Sequence, residues 1–273
     1  MVRGRESTAG YARRMGQVMD AESEENAAKH LVDYMGRITA WEARSDEDIA
    51  PAPGSALAND DRDTAYDPIS FQIAHFRLNA IEHLGTIRTF FELTGGAVAV
   101  FSLYTLARAS IEACALGIWI LKGGTHAKRV KRSLIYVYAG ERDVATLSRA
   151  SGKDRDSEKV YARLEELKAR VGSIRQSSIS DIPSTTDILK EVDLSLSGLH
   201  MSGLAAWRIC SGIAHANRHV AAATHEMRLL HDIDGKSGRF LMTSSITLMA
   251  SVIGTALAYL DELQRLADRL SAA

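Results

Sequence analysis

From residue 73 onward, apolar side chains recur every three or four positions: Ile73, Phe76, Ala80, Ile81, Leu84, Ile87 and Phe91. Mostly polar residues separate them. That spacing predicts a helix with one buried face. Asp67-Pro68 is a good start for it, an N-cap acid followed by proline at the first helical position, and Gly95-Gly96 is a good stop. The run 97–121 is apolar nearly throughout, which predicts a helix buried on almost all sides. So short a connection between the two implies an antiparallel helical hairpin. Gly123-Gly124 then ends the second helix, and Thr125 caps a third over about 126–150. A charged helix is expected at about 154–174, a short one near 185–192, and a longer one from about 198 to 223.

The period changes after that. Met227 and Leu229, then Asp234-Gly235, then Phe240 and Met242, read as a β-hairpin. A final amphipathic helix covers about 243–270. Upstream, 20–44 reads as a helix with an acidic surface. The stretch "SDEDIAPAPGSALANDDRDTAYDP" reads as an exposed linker. Only four prolines, at 51, 53, 68 and 183, interrupt the chain, so long stretches are free to be helical. The expected class is all-α: an antiparallel helical bundle with one small β-hairpin near the C-terminus. Its expected parts are an N-terminal helical arm over 1–45, an acidic, proline-containing linker over 46–66, and a bundle domain over 67–273 with the hairpin at about 226–243.

Composition adds limits. With 273 residues, 46% of them hydrophobic, the chain can bury a sizeable core. A formal net charge of -1 leaves no global basic field to attract nucleic acid. The charge is uneven, with carboxylates concentrated over 20–67 and cations over 122–149. The 97–121 run is long enough to span a bilayer. Arg108 and Glu112 near its middle would each cost a few kcal/mol there, so no membrane role is expected. The opening "MVRGRESTAGYARRMGQ" lacks the apolar core of a signal peptide, and a cytoplasmic location is the expectation. Cys114 and Cys210, inside apolar helical runs, are expected as buried free thiols. No phosphate-binding glycine loop or nucleophile elbow occurs, and no cofactor or metal is expected.

The stretch "WRICSGIAHANRH", residues 207–219, concentrates chemistry. On one continuous helix, Arg208, Ser211, His215, Arg218 and His219 would fall within about 120° of one another. Ile209, Cys210, Ile213, Ala216 and Val220 would occupy the far side. A solvated face accounts for such a stripe. Yet solvated faces favour Glu, Lys and Gln, and this one carries no acid. Donors and imidazoles without a neutralising carboxylate suit an anion.

"RICSGIAH", from Arg208 to His215, resembles the R-x(4–6)-H motif of HEPN proteins, all-helical bundles often found as ribonuclease toxins and in anti-phage defence. "LYTLARASIEACALGIWIL" upstream of it is similar to bacterial proteins of that abortive-infection type. The resemblance covers roughly residues 68–271. It implies a symmetric homodimer with RNA as substrate and an antitoxin as a further partner, and a metal-independent cleavage by the 2′-hydroxyl. His215 would then be general base or acid, Arg208 would hold the phosphate, and Ser211 would position a phosphate oxygen. His219 and Arg218 would support them, and Lys128, Arg129 and Arg132 would contact the RNA backbone. This chain departs from the motif at Ile209, where active members often carry a polar residue. The departure favours a non-enzymatic alternative, a HEPN-like binding or scaffold module.

Two further readings belong to the same residues. Arg108 and Glu112 stand i,i+4 and can pair with each other. Alternatively, Glu112 accepts a hydrogen bond from His215 and fixes its tautomer. His215 and His219, also i,i+4, have the spacing of a metal-ligand pair. A DinB-like bundle would add a third histidine, His75 or His83, although Arg208 and Arg218 would repel a cation. His126, His225 and His231 read as surface or hairpin residues.

Overall fold

The computed structural model describes residues 21–47, 49–233 and 238–273. The first 20 residues of the expected arm, and the expected Asp234-Gly235 turn, lie outside them. The described residues form ten α-helices and one two-stranded sheet, an all-α bundle with a small hairpin near the C-terminus. The helices are α1 (Ala21–Glu42), α2 (Ala56–Asp63), α3 (Ile69–Thr94), α4 (Ser102–Leu121), α5 (His126–Ala150), α6 (Glu158–Arg170), α7 (Thr185–Asp193), α8 (Gly203–Ala214), α9 (Arg218–Thr224) and α10 (Ile246–Ser271). Strands β1 (Glu226–Asp232) and β2 (Gly238–Thr243) pair antiparallel, Met227 opposite Met242 and Leu229 opposite Phe240. The register shifts between Leu229 and His231.

The chain divides into two compact units. One holds 21–44, 80–111 and 198–258; the other holds 45–79, 112–197 and 259–273. In the first, α1 buries Ala27, Leu31, Tyr34, Ile38 and Trp41, a helical face at three- and four-residue spacing. Gly254 of α10 lets Tyr34 come close: a Cβ there would lie 2.6 Å from the tyrosine hydroxyl. Arg88 joins α3 to α1 through Glu42, with Nε 2.6 Å from Oε2. The apolar side of α8 completes this core with Ala206, Cys210 and Ile213.

In the second unit, Ile73 and Phe76 of α3, Cys114 and Ile118 of α4, Val130 and Leu134 of α5, and Leu260 and Leu263 of α10 are buried. Both cysteines are buried free thiols, and burial pushes the Cys210 thiol up to about 12. Among the described residues, α4 and α10 are long and apolar enough to cross a membrane, and most of each apolar stretch is buried within the protein.

Three local expectations change. The stretch read as an exposed linker carries α2, capped by Ser55 and anchored by the fully buried Leu57 and Asp60. Its acidic composition suggested solvent, but Asp60 and Asp63 meet Arg129 and His126 of α5. The expected cap of α3 at Asp67 is supplied by other side chains: Asp61 Oδ1 accepts the Ser70 amide at 2.9 Å, and Thr64 Oγ1 accepts the Ile69 amide at 3.3 Å. The helix expected over 198–223 is two helices, α8 and α9, divided at Ala216.

Candidate functional site

Ser202 opens α8 by accepting the Ala205 amide, as an N-cap serine does. Ala206, Cys210 and Ile213 face the core. Arg208 and His215 are therefore turned outward and exposed, with Ser211 half-buried between them. His215 is the C-cap of α8, its amide accepted by Ser211 O at 3.0 Å. The helix ends in a double turn: the Ala216 amide donates to Ile213 O (3.0 Å) and the Asn217 amide to Gly212 O (2.8 Å). These two bonds define a Schellman ending, which puts one residue in the left-handed region. Glycine usually takes that position; here Ala216 holds it, at φ +54°.

Asn217 then caps α9, its Oδ1 accepting the His219 and Val220 amides. The chain folds back so closely that a Cβ on Gly212 would lie 2.7 to 2.9 Å from Val220. The expected single stripe is therefore broken. Arg208, Ser211 and His215 share a face of α8, whereas Arg218 and His219 sit exposed in the first turn of α9. His215 and His219 do not share a helix, which removes the i,i+4 geometry of the metal-pair reading. No group of three or more His, Cys, Asp or Glu able to hold a metal ion occurs among the described residues.

The supporting residues go elsewhere too. Arg108 places its guanidinium over the Trp207 ring, 5.4 Å from the centroid, a cation–π contact on the α8 side of its helix. Glu112 accepts a hydrogen bond from Thr185 Oγ1 at 3.2 Å. The His215 ring makes no hydrogen bond among the described residues, so no carboxylate fixes its tautomer. Of the expected RNA-backbone cations, only Lys128 is exposed. Arg129 is buried against Asp60. Arg132 donates to Trp119 O and to Glu191, 2.6 Å away, and lies over the Trp119 ring.

No family model, no curated protein and no solved structure matches the chain.

A closely built polar cluster is one that sequence reading passed over. Asp60 of α2 is fully buried, and its two oxygens accept from Arg129 Nε (2.5 Å) and Nη2 (3.0 Å) of α5. Its Oδ1 also meets His126 Nδ1 at 2.7 Å. The other ring nitrogen, His126 Nε2, lies 2.9 Å from Asp63 Oδ2. His126, expected on the surface, keeps part of its side chain exposed and is also held between two carboxylates. The available signal was a pair of matching intervals: Asp60 and Asp63 stand i,i+3, and so do His126 and Arg129, each pair on one face of a helix. His225 departs from expectation. It is buried, with Nε2 2.7 Å from Val100 O, whereas His231 is exposed on β1 as expected.

Proposed function

We propose that this chain is a HEPN-like, metal-independent ribonuclease acting as a homodimer, with a defence toxin as its biological setting. The observation that carries the reading is the exposed face of α8. Arg208 and His215 project from it about two turns apart, with Ser211 between them and no side-chain partner for either end among the described residues. A cation and an imidazole left unpaired at the surface are free to meet a phosphodiester.

In this reading His215 accepts the proton of the ribose 2′-hydroxyl, and the oxygen attacks the adjacent phosphorus. The bond to the 5′-oxygen breaks, and that oxygen takes a proton from His215 of the second copy. The products are a 2′,3′-cyclic phosphate and a 5′-hydroxyl. Arg208 balances the charge that builds on the non-bridging oxygens, and Ser211 donates a hydrogen bond to one of them. The second copy serves as the acid in this reading: its His215 starts protonated and ends neutral, while the first starts neutral and ends protonated.

The test is cleavage of RNA by the purified protein in excess EDTA, beside folded Arg208→Ala and His215→Ala variants. Cleavage that survives chelation, yields cyclic phosphate ends and falls by about a hundredfold or more in each variant supports the reading. Ile209 and the unoriented His215 ring favour a second reading, a module that grips RNA without cutting it. RNA binding lost in Arg208→Ala, with no cleavage by the parent chain, would select that reading.

A further inference from the structure

A cavity of about 410 Å³ opens where α2 meets the start of α5. Ala56, Asn59, Arg62, His126 and Arg129 line it. Three of those five residues are cationic or can become so. Arg129 and His126 are fixed in place from behind by Asp60, which is fully buried and so offers no carboxylate surface to a ligand in the cavity. Arg62 is exposed and has no ion-pair or hydrogen-bond partner among the described residues. The ammonium of Lys128 is exposed one turn from the Thr125 cap, and the N-terminal end of the 25-residue α5 adds a partial positive charge.

Such preorganisation is what an oxyanion site needs. A guanidinium whose Nε and Nη2 are already committed can turn only its remaining edge toward a ligand, at little entropic cost. Asp63, whose side chain is partly exposed, sits on His126 Nε2. A ligand oxygen can take that place on the ring and release it. The lining has no aromatic side chain on which a base could stack, so recognition rests on charge and hydrogen bonds.

We infer that the cavity bounded by Arg62, His126 and Arg129 binds a phosphate group, separately from the face of α8. Asp60 acts there as a positioning residue. This inference does not depend on ribonuclease activity.

Calorimetric titration of the full chain with inorganic phosphate, and in a second arm with a nucleoside 5′-monophosphate, tests it at an ionic strength held constant with chloride. The expected result is saturable binding of one phosphate per chain. Arg62→Gln should weaken it by about tenfold, the loss of one charge-assisted contact. The titration is run in the Arg208→Ala background, in which the face of α8 no longer holds a phosphate, and the saturable binding should persist there. His126→Asn should weaken it similarly, but that residue also ties α2 to α5. Arg62, exposed and unpaired, is the variant that decides. Tighter binding of the monophosphate than of phosphate would assign a nucleotide-type ligand, and equal binding would assign the phosphate group alone. Absence of saturable binding in both arms, binding that Arg62→Gln leaves unchanged, or binding removed by Arg208→Ala would overturn the inference.

Discussion

The corner between α8 and α9 and the cluster around Asp60 make opposite use of the same kinds of residue. At the corner, Arg208, Arg218, His215 and His219 stand in solvent without a carboxylate among them. Around Asp60, Arg129 and His126 are held by two acids, and one of those acids is fully buried. Unpaired surface cations contribute little to folding and are available to a ligand. A buried ion pair is a structural commitment, because removing Asp60 leaves the Arg129 charge uncompensated in a poorly solvated place. Unusual composition on a helix face therefore marks availability, and convergence from distant segments marks dependence.

The contrast is sharpest in stability. Asp60→Ala leaves Arg129 buried without its counter-charge and should cost about 3–5 kcal/mol in denaturant unfolding. Arg208→Ala should change stability by less than about 0.5 kcal/mol. Equal costs for the two would end the comparison. Within the corner, Gly212→Ala should destabilise by about 1–3 kcal/mol, because the new methyl meets the stiff, β-branched Val220 and α9 has to move. Ala216→Gly should act in the opposite sense. It relieves a left-handed alanine and should gain about 0.5–1 kcal/mol, the greater freedom of glycine in the unfolded chain offsetting part of the relief. Thermal unfolding of the two variants side by side reads both signs.

The smallest effect is one of pH. Arg155, with help from the Ser157 hydroxyl, holds the Glu141 carboxyl below its usual 4.5. A carboxyl lowered in the folded state contributes stability above 4.5 and loses it as the pH falls through the lowered value. The stability difference between the parent chain and Glu141→Gln should therefore be constant near neutrality and shrink under acid. A difference that grew on acidification would reverse that assignment.

Much of the fold is legible in the sequence. The three- and four-residue recurrence over 73–91, the glycine pairs at 95–96 and 123–124, and the Thr125 cap all match observed elements. The hairpin strands do as well. So is the candidate site in part, since burial of Ala206, Cys210 and Ile213 turns Arg208 and His215 outward as their spacing requires. These features depend on side chains within a turn or two of each other, and local periodicity and capping report them directly.

The misread features are a local left-handed turn and a pairing that closes over distance. Ala216 broke the long helix because a left-handed residue and the Gly212–Val220 approach outweigh a good helical residue. An acidic stretch rich in turn residues became α2 because partners 66 and 69 residues away, His126 and Arg129, meet Asp60. Helical periodicity belongs to the chain wherever it is placed. Which acid meets which base depends on segments far apart in sequence being brought together, and burial then makes that pairing a condition of the fold.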